Sequence, residues 1–286
     1  MKELSKTSRN GRFSINRSIF KRASSTYYYS SLFFPSSIKQ DIFTLYAFVR
    51  TADDFVDCIP PKREEFRAYQ RETIEALNGA TAQNPRIQDL VDLVHKKNIE
   101  PHWIIDFLKA MESDLSPKSY QTYKDLQTYI YGSAEVIGLC MCAILGVSRQ
   151  AYTSARAQGE AMQLINFIRD IHEDELLGRT YIPKNDCKQF GVDYPLTQSN
   201  HPNFEKLVRF EISRYREIQT KAQAGYSYLP RRVRFVIKTA SDMYMWTADQ
   251  IDANPKVVFK RKVRPSRSYV LFKGVMNAIQ ICFTRT

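Results

Sequence analysis

Between residues 38 and 56 the apolar side chains Ile38, Ile42, Leu45, Val49, Ala52 and Val56 recur at intervals of 4-3-4-3-4, the spacing of one face of an α-helix. Ser36-Ser37 can cap that helix and Pro60-Pro61 ends it, so it runs from about Ile38 to Cys58. Polar residues on such a helix normally gather opposite the apolar stripe, and here they do not. At about 100° per residue, with Val49 as origin, Asp53 lies at ~40°, Tyr46 at ~60°, Asp57 at ~80° and Arg50 at ~100°, with Asp54 further out at ~140°. A carboxylate strip flanking a buried face suits a helix that lines a cavity better than one that faces water.

The rest of the chain continues in the same period. Helices are predicted over about 62–78, 85–97, 102–113, 121–147, 149–177, 202–228 and 231–252, punctuated by Asn78-Gly79, Pro101, Ser116-Pro117, Gly146, Gly178, Pro183 and Pro230. No stretch alternates with period two, no internal repeat is found, and glycine (10) and proline (12) are sparse, which disfavours a many-turned β fold. The reading is one all-α domain over 23–265, with a basic lead at 1–22 and a basic tail at 266–286.

The predicted helix over 149–177 repeats the acidic arrangement. Relative to Asp170, Gln163 lies at ~20°, Asn166 at about −40° and Asp174 at ~40°, while Leu164, Ile165, Ile168 and Ile171 gather on the other side. Two aspartates four apart repel and gain nothing structurally. Two such pairs facing each other would repel more, and a hard divalent cation removes the difficulty, because carboxylate oxygens are what Mg²⁺ selects. Such an ion, bound by few protein oxygens, keeps coordination places for a diphosphate.

At this point the sequence resembles the squalene/phytoene synthase family. Tyr46-Ala47-Phe48-Val49-Arg50-Thr51-Ala52-Asp53-Asp54-Phe55-Val56-Asp57 is similar to the family's first signature, and the segment from Gln163 through Asn166, Arg169, Asp170 and Glu173 to Asp174 to its second. Gly178-Arg179-Thr180-Tyr181-Ile182-Pro183 resembles the segment that usually follows. The likeness runs from about Ser24 to Lys262. A third segment, Tyr129 to Gly138, matches with a departure: Glu135 stands where the family usually has glycine. Glu135 is expected to meet solvent or a cation, since unpaired burial would be costly.

The resemblance implies a single-domain class I isoprenoid synthase fold, a helical bundle around a central apolar cavity. It also implies Mg²⁺, with Mn²⁺ the other candidate, between the acidic segments. Asp53, Asp57, Asp170 and Asp174 would be catalytic and hold metal, with Asn166 assisting and Asp54 also in the metal set though pointing less directly inward. Arg50, Arg169 and Arg179 would contact diphosphate, Thr26 and Tyr27 a substrate head group, and Tyr244 the diphosphate. Tyr46 and Gln163 belong to the substrate side of the two signatures. Tyr129, Ser133 and Ile137, four apart, would line the cavity, and Lys260-Arg261 match a late basic pair.

The implied reaction joins two allylic diphosphates head to head through a cyclopropylcarbinyl diphosphate and releases diphosphate. The wording Arg50 to Asp57 is nearer to phytoene synthases, and Ser31 is small where the shorter-chain dehydrosqualene synthases carry a bulky aromatic. Phytoene from two geranylgeranyl diphosphates is therefore expected. Squalene or dehydrosqualene from farnesyl diphosphate is the alternative, with NADPH required only for squalene. A class I terpene cyclase is disfavoured by the wording of Asn166 to Asp174, and a non-catalytic assembly-factor relative by the intact aspartates.

The formal charge of +12 is not a nucleic-acid signature once mapped. Residues 1–22 carry seven Lys/Arg and one Glu, and residues 253–286 carry eight Lys/Arg and no acid, so 23–252 is close to neutral. Basic ends suit an anionic surface, and no nucleic acid is expected. Five cysteines without a C-x-x-C pattern suit a reducing compartment. The longest apolar run, Val136 to Val147, falls short of the ~18 residues of a span. The expected location is cytoplasmic, with peripheral membrane contact through the basic ends and the Ser268–Lys273 segment.

Overall fold

The structure, a computed structural model, describes residue 14 and residues 16–21, 25–196 and 201–283, the side chains of 25–27 and 281–282 excepted. The first half comprises α1 (Ser25–Ser31), α2 (Ser36–Asp57), α3 (Arg63–Leu77), α4 (Pro85–Lys97) and α5 (Pro101–Ser113). One long helix follows, made of α6 (Tyr123–Ile130), a π-helical turn (Tyr131–Glu135) and α7 (Val136–Leu145). The second half comprises α8 (Tyr152–Arg169), α9 (Ile171–Leu176), α10 (Lys184–Gln189), α11 (Phe204–Gln223), α12 (Arg231–Ala253) and α13 (Arg267–Phe283). Two short strands, β1 (Lys118–Ser119) and β2 (Arg179–Thr180), pair in parallel with Lys118 opposite Arg179.

Local chemistry accounts for most of the boundaries. The Asn84 side chain accepts the Arg86 backbone N–H at 3.0 Å and Pro85 occupies the first turn of α4, a start signal that needs no tertiary help. Thr122 and Asp125 form a reciprocal capping box at the head of α6. Cys58, in extended backbone, ends α2 just before Pro60.

Besides α1, α10 and the β1–β2 pair, which the sequence reading did not contain, three features differ from it. The stretch 149–177 is not one helix, because Asp170 leaves helical geometry at φ −103°, ψ 15° and separates α8 from α9. The long helix of 123–145 contains the π turn, which periodicity does not reveal. The basic tail contains α13, packed against α1 and α12. The Tyr123–Leu145 helix is also long and apolar enough to cross a membrane by length and composition; it is an inner helix, packed against α5 and α8.

Two apolar clusters hold the bundle. One gathers α2 to α7 around Phe48, Phe66, Leu90 and Phe107, and the other gathers α8 to α12 around Leu164, Phe204, Ile212 and Tyr215. They meet where α8 crosses the π turn and α7. A Cβ at Gly138 would lie 2.4 Å from the Ala155 carbonyl oxygen, and one at Gly159 2.5 Å from that of Ala134, so only glycine permits this approach. A cavity of about 840 Å³ lies between the clusters, large for a ligand site.

Candidate active site

The cavity wall receives one strip of side chains from each surrounding element. α2 contributes Tyr46, Arg50, Asp53 and Asp57; the α6–α7 helix contributes Tyr129, Ser133 and Ile137. From the other cluster, α8 contributes Gln163, Asn166 and Arg169, followed by Asp170 and by Asp174 from α9. Arg179 of β2 and Tyr244 of α12 complete the set. Asp54 is turned outward, 59% exposed, as its position on the helical wheel indicates. Thr26 and Tyr27 lie outside the described side chains.

Each acidic bank is met by cations. Arg50 divides its guanidinium, one nitrogen 2.6 Å from Asp53 and the other 2.6 Å from Asp54. Arg179 donates to Asp57 at 2.7 Å. Arg169 grips Asp170 with two hydrogen bonds of 2.7 and 2.6 Å, and Lys262 stands 3.2 Å from the same carboxylate. Burial, then the neighbouring Asp57 charge, push the Asp53 carboxyl up to about 7 against the pull of Arg50. Burial and Asp170 raise Asp174 well above the usual carboxylate range. Burial also works against charge at Asp170, yet Arg169 and Lys262 outweigh it and hold that carboxyl low. The banks are unequal: Asp170 is firmly ionised, and Asp53 and Asp174 hold their protons more tightly.

Buried, closely spaced carboxyls of this kind are stabilised in their charged form by a cation placed between them. The buried Oδ1 of Asn166 has no hydrogen-bond partner and lines the same cavity; an oxygen left so is a ready ligand for a hard cation. Among the described residues no three His, Cys, Asp or Glu side chains form a closed metal cluster. The donor set fits Mg²⁺ as that ion is usually bound, by one or two carboxylates with substrate phosphate and water supplying the rest.

Asp114 on the cavity wall and Lys118 beside it carry no mark in the sequence. Asp114, buried at the end of α5, accepts the Tyr129 hydroxyl at 2.6 Å and the Tyr181 hydroxyl at 3.2 Å and pairs with Lys118. Lys118 also sits 3.6 Å from the Tyr129 ring centroid; burial lowers its ammonium to about 8 in spite of Asp114. The β1–β2 pairing brings Lys118 and Arg179 to Asp114, and Arg179 donates to the Asp114 carbonyl at 3.1 Å. Tyr181 had a local signal, in the segment Gly178 to Pro183. The late basic pair is displaced as well: Lys262 and Arg264 line the cavity, and Lys260 and Arg261 do not.

At the apolar end, Ser31 and Phe34 line the wall. The Ser31 hydroxyl donates to its own helix at the Tyr28 carbonyl, 2.7 Å away, so it presents little bulk. Phe43 is fully buried behind the wall, between Phe20 and Tyr28. Glu135 is buried and accepts from Arg156 Nε at 2.6 Å, the cation partner expected for it.

Comparison with known proteins agrees with this geometry. The sequence pattern described as squalene/phytoene synthase matches residues 20–269. The 15-cis-phytoene synthase of Synechocystis sp. is 29% identical over 87% of this chain and 79% of its own length. The phytoene synthase of Arthrospira platensis is 26% identical over 89% of this chain and 88% of its own. The crystal structure of a dehydrosqualene synthase superposes with a TM-score of 0.81 at 23% identity, over 96% of each chain, which establishes the shared fold. Matched across that extent in sequence and backbone, this chain belongs to the squalene/phytoene synthase family and is an enzyme of the prenyltransferase type.

Proposed function

We propose that the protein condenses two geranylgeranyl diphosphates head to head to phytoene, through a cyclopropylcarbinyl diphosphate, in a Mg²⁺-dependent reaction that releases diphosphate. The observation that carries the chain-length reading is the depth of the cavity. Its lining runs from Asn166 back along α8 to Ala151, in the short turn just before that helix, fifteen positions, or about 22 Å at 1.5 Å per residue. An extended chain advances ~1.2 Å per bond, so a geranylgeranyl main chain of about fifteen bonds needs ~18 Å and a farnesyl chain ~13 Å. The small Ser31 leaves that depth open, and the cyanobacterial relatives are named phytoene synthases.

Asp53, Asp57, Asn166, Asp170 and Asp174 would hold the metal, which when bound supplies charge neutralisation for the departing diphosphate. Arg50, Arg169, Arg179 and Lys262 face the same end of the cavity and can exchange carboxylate partners for diphosphate oxygens in charge-assisted hydrogen bonds. Beyond them the wall is mainly apolar, with Ser133, Ser154, Gln158 and Tyr226 among its polar members, and an apolar lining keeps water from a reactive allylic cation. Phe107, Tyr129 and Phe167 in that wall offer polarisable rings that stabilise a cation without capturing it.

Purified protein supplied with Mg²⁺ and either C15 or C20 diphosphate, each with and without NADPH, tests the reading by product analysis. Phytoene from the C20 substrate without NADPH is the expected result. Squalene or dehydrosqualene alone would overturn the chain-length reading, and consumption of neither substrate would overturn the reaction.

A further inference from the structure

α13 is apolar on both of its long sides. Its inward side, with Val270, Gly274 and Asn277 buried, packs on α1 and α12. A Cβ at Gly274 would lie 2.5 Å from the Phe33 ring, so the helix backbone rests directly on that side chain. The Asn277 amide donates to Thr239 Oγ1 at 3.1 Å and to Asp242 Oδ2 at 2.9 Å, a polar anchor that fixes the helix to the body. The outward side is thereby held in one orientation.

That outward side carries Leu271, Phe272, Val275, Met276, Ile279 and Phe283. These are six of the nine large apolar side chains exposed among the described residues, and on the helical wheel they fall within an arc of ~140°. Single exposed apolar residues are ordinary, whereas a contiguous stripe marks a surface that something covers. Arg267 and Lys273 stand on opposite shoulders of the stripe, about 40° before and 60° beyond its edges. The surrounding segment, 253–286, has eight Lys/Arg and no acidic residue.

Charge chooses among the occupants. A second copy seated on this face would oppose two strongly cationic segments that contain no carboxylate to pair with. An apolar helical face between cationic shoulders is complementary to an anionic lipid surface, with rings and branched chains at the headgroup–acyl boundary and the cations at lipid phosphates. We infer that the outward face of α13 seats the enzyme on an anionic bilayer. The seat also lies against the cavity: α1 and α12, on which α13 packs, supply Ser30, Ser31, Val236, Ile237 and Ala240 to the cavity wall. Two layers of packed helices, α13 and the α1/α12 layer with axes roughly 8–10 Å apart, then separate the apolar end of the cavity from lipid. The docking does not depend on which product forms there.

Flotation of the full chain with vesicles tests this, comparing phosphatidylcholine alone with phosphatidylcholine containing phosphatidylglycerol. The wild type is expected to float with the anionic vesicles and to be released by salt. F272S/I279S should lose at least about tenfold of that binding, and R267Q/K273Q about fivefold per charge removed. Both variants should keep the turnover of detergent-dispersed substrate, since none of the altered side chains lines the cavity; F272S/I279S should also keep the wild-type melting temperature, and R267Q/K273Q should lower it only by the loss of the Arg267 contact with the Tyr29 ring, 5.5 Å away. Equal flotation of wild type and both variants would overturn the inference by assigning binding to another part of the chain. So would no flotation of the wild type, or a wild-type dimer in sedimentation velocity that either variant dissociates.

Discussion

The guanidinium of Arg179 donates a 2.7 Å hydrogen bond to Oδ1 of Asp57, a carboxylate 122 positions earlier in the chain. Its second nitrogen reaches the carbonyls of Val56 and Asp114, at 2.7 and 3.1 Å. One buried side chain thus ties the end of α2 to the end of α5 and, through β2, to the segment that follows the second acidic bank. Asp57 is oriented by Arg179 before any substrate arrives, and Arg179 can turn to diphosphate only as Asp57 finds another partner.

Arg179→Lys keeps the charge and loses the fork that spans three acceptors. Turnover should fall by about 10- to 100-fold, with a lower melting temperature because two backbone carbonyls lose their donor. Steady-state kinetics and thermal denaturation of the variant check both. Wild-type kcat would show that the charge alone suffices at this position.

The outward turn of Asp54 separates it from its neighbours in the first signature. Asp53→Asn and Asp170→Asn should each lower kcat by on the order of 10²-fold or more, the scale seen when one element of preorganised charge stabilisation is removed, with the fold kept. Asp54→Asn, which loses an exposed contact to Arg50, should cost at most about tenfold. Added Mg²⁺ should raise the melting temperature of the wild type and Asp54→Asn and leave that of Asp53→Asn unchanged. A thermal shift of equal size in all three would remove Asp53 from the metal site.

How much of this was legible in the sequence depends on where each cause lies. α4 was read from Pro85 to Lys97 because its signals are local: Asn84 and Pro85 at the start, three basic residues in the last turn. The inward strip of α2 was legible for the same reason, since helical geometry places Asp53 and Asp57 once the apolar stripe is known. The break at Asp170 was not. Residues 149–177 carry an unbroken helical pattern, and the residue that leaves it is held from outside by Lys262, far along the chain. α13 was read as a tail because its inward side is narrow and its burial is supplied by α1 and α12. Asp114 lies in no motif; its partners Tyr181 and Arg179 come from 67 and 65 positions away, and side-chain chemistry at that separation has no local spacing to betray it.

A second carboxylate cluster, remote from the motifs, makes stability depend on pH. Glu211 is fully buried, one of its oxygens has no partner, and Arg214 at 2.6 Å is shared with Asp186 at 2.8 Å. Burial pushes the Glu211 carboxyl up to about 8, against the pull of Arg214. The folded chain therefore keeps a proton that the unfolded chain, with an ordinary carboxyl near 4.5, has already released. Stability from this group is full below that lower value and is lost as pH rises through about 8. Glu211→Gln abolishes the titration, so its stability relative to the wild type should improve with pH over this window by about 1–3 kcal/mol. Urea unfolding at about pH 5 and about pH 9 measures the difference, and an identical ΔΔG at both would show that Glu211 stays ionised throughout.

Ser31 bears on chain length more directly than any motif residue. It lies on the wall at the end of α1, buried, with its hydroxyl folded back to the Tyr28 carbonyl. Phe34 and Ile42 line the same wall and are likewise buried, so a larger side chain at position 31 has the cavity itself as its outlet. Ser31→Phe should then fill the cavity beside this wall with one aromatic ring, which crowds the ~18 Å geranylgeranyl chain more than the ~13 Å farnesyl chain. The expected outcome is a fall of about 10- to 100-fold in kcat/KM for the C20 diphosphate, the scale of one to three kcal/mol of lost fit, with the C15 diphosphate retained or improved. Competition between the two substrates in one reaction, read by product chain length, measures the shift. An unchanged C20 preference would place the end of the substrate elsewhere along the cavity, toward Leu145 and Ala151 at its far wall, and would make those residues the ones that set chain length.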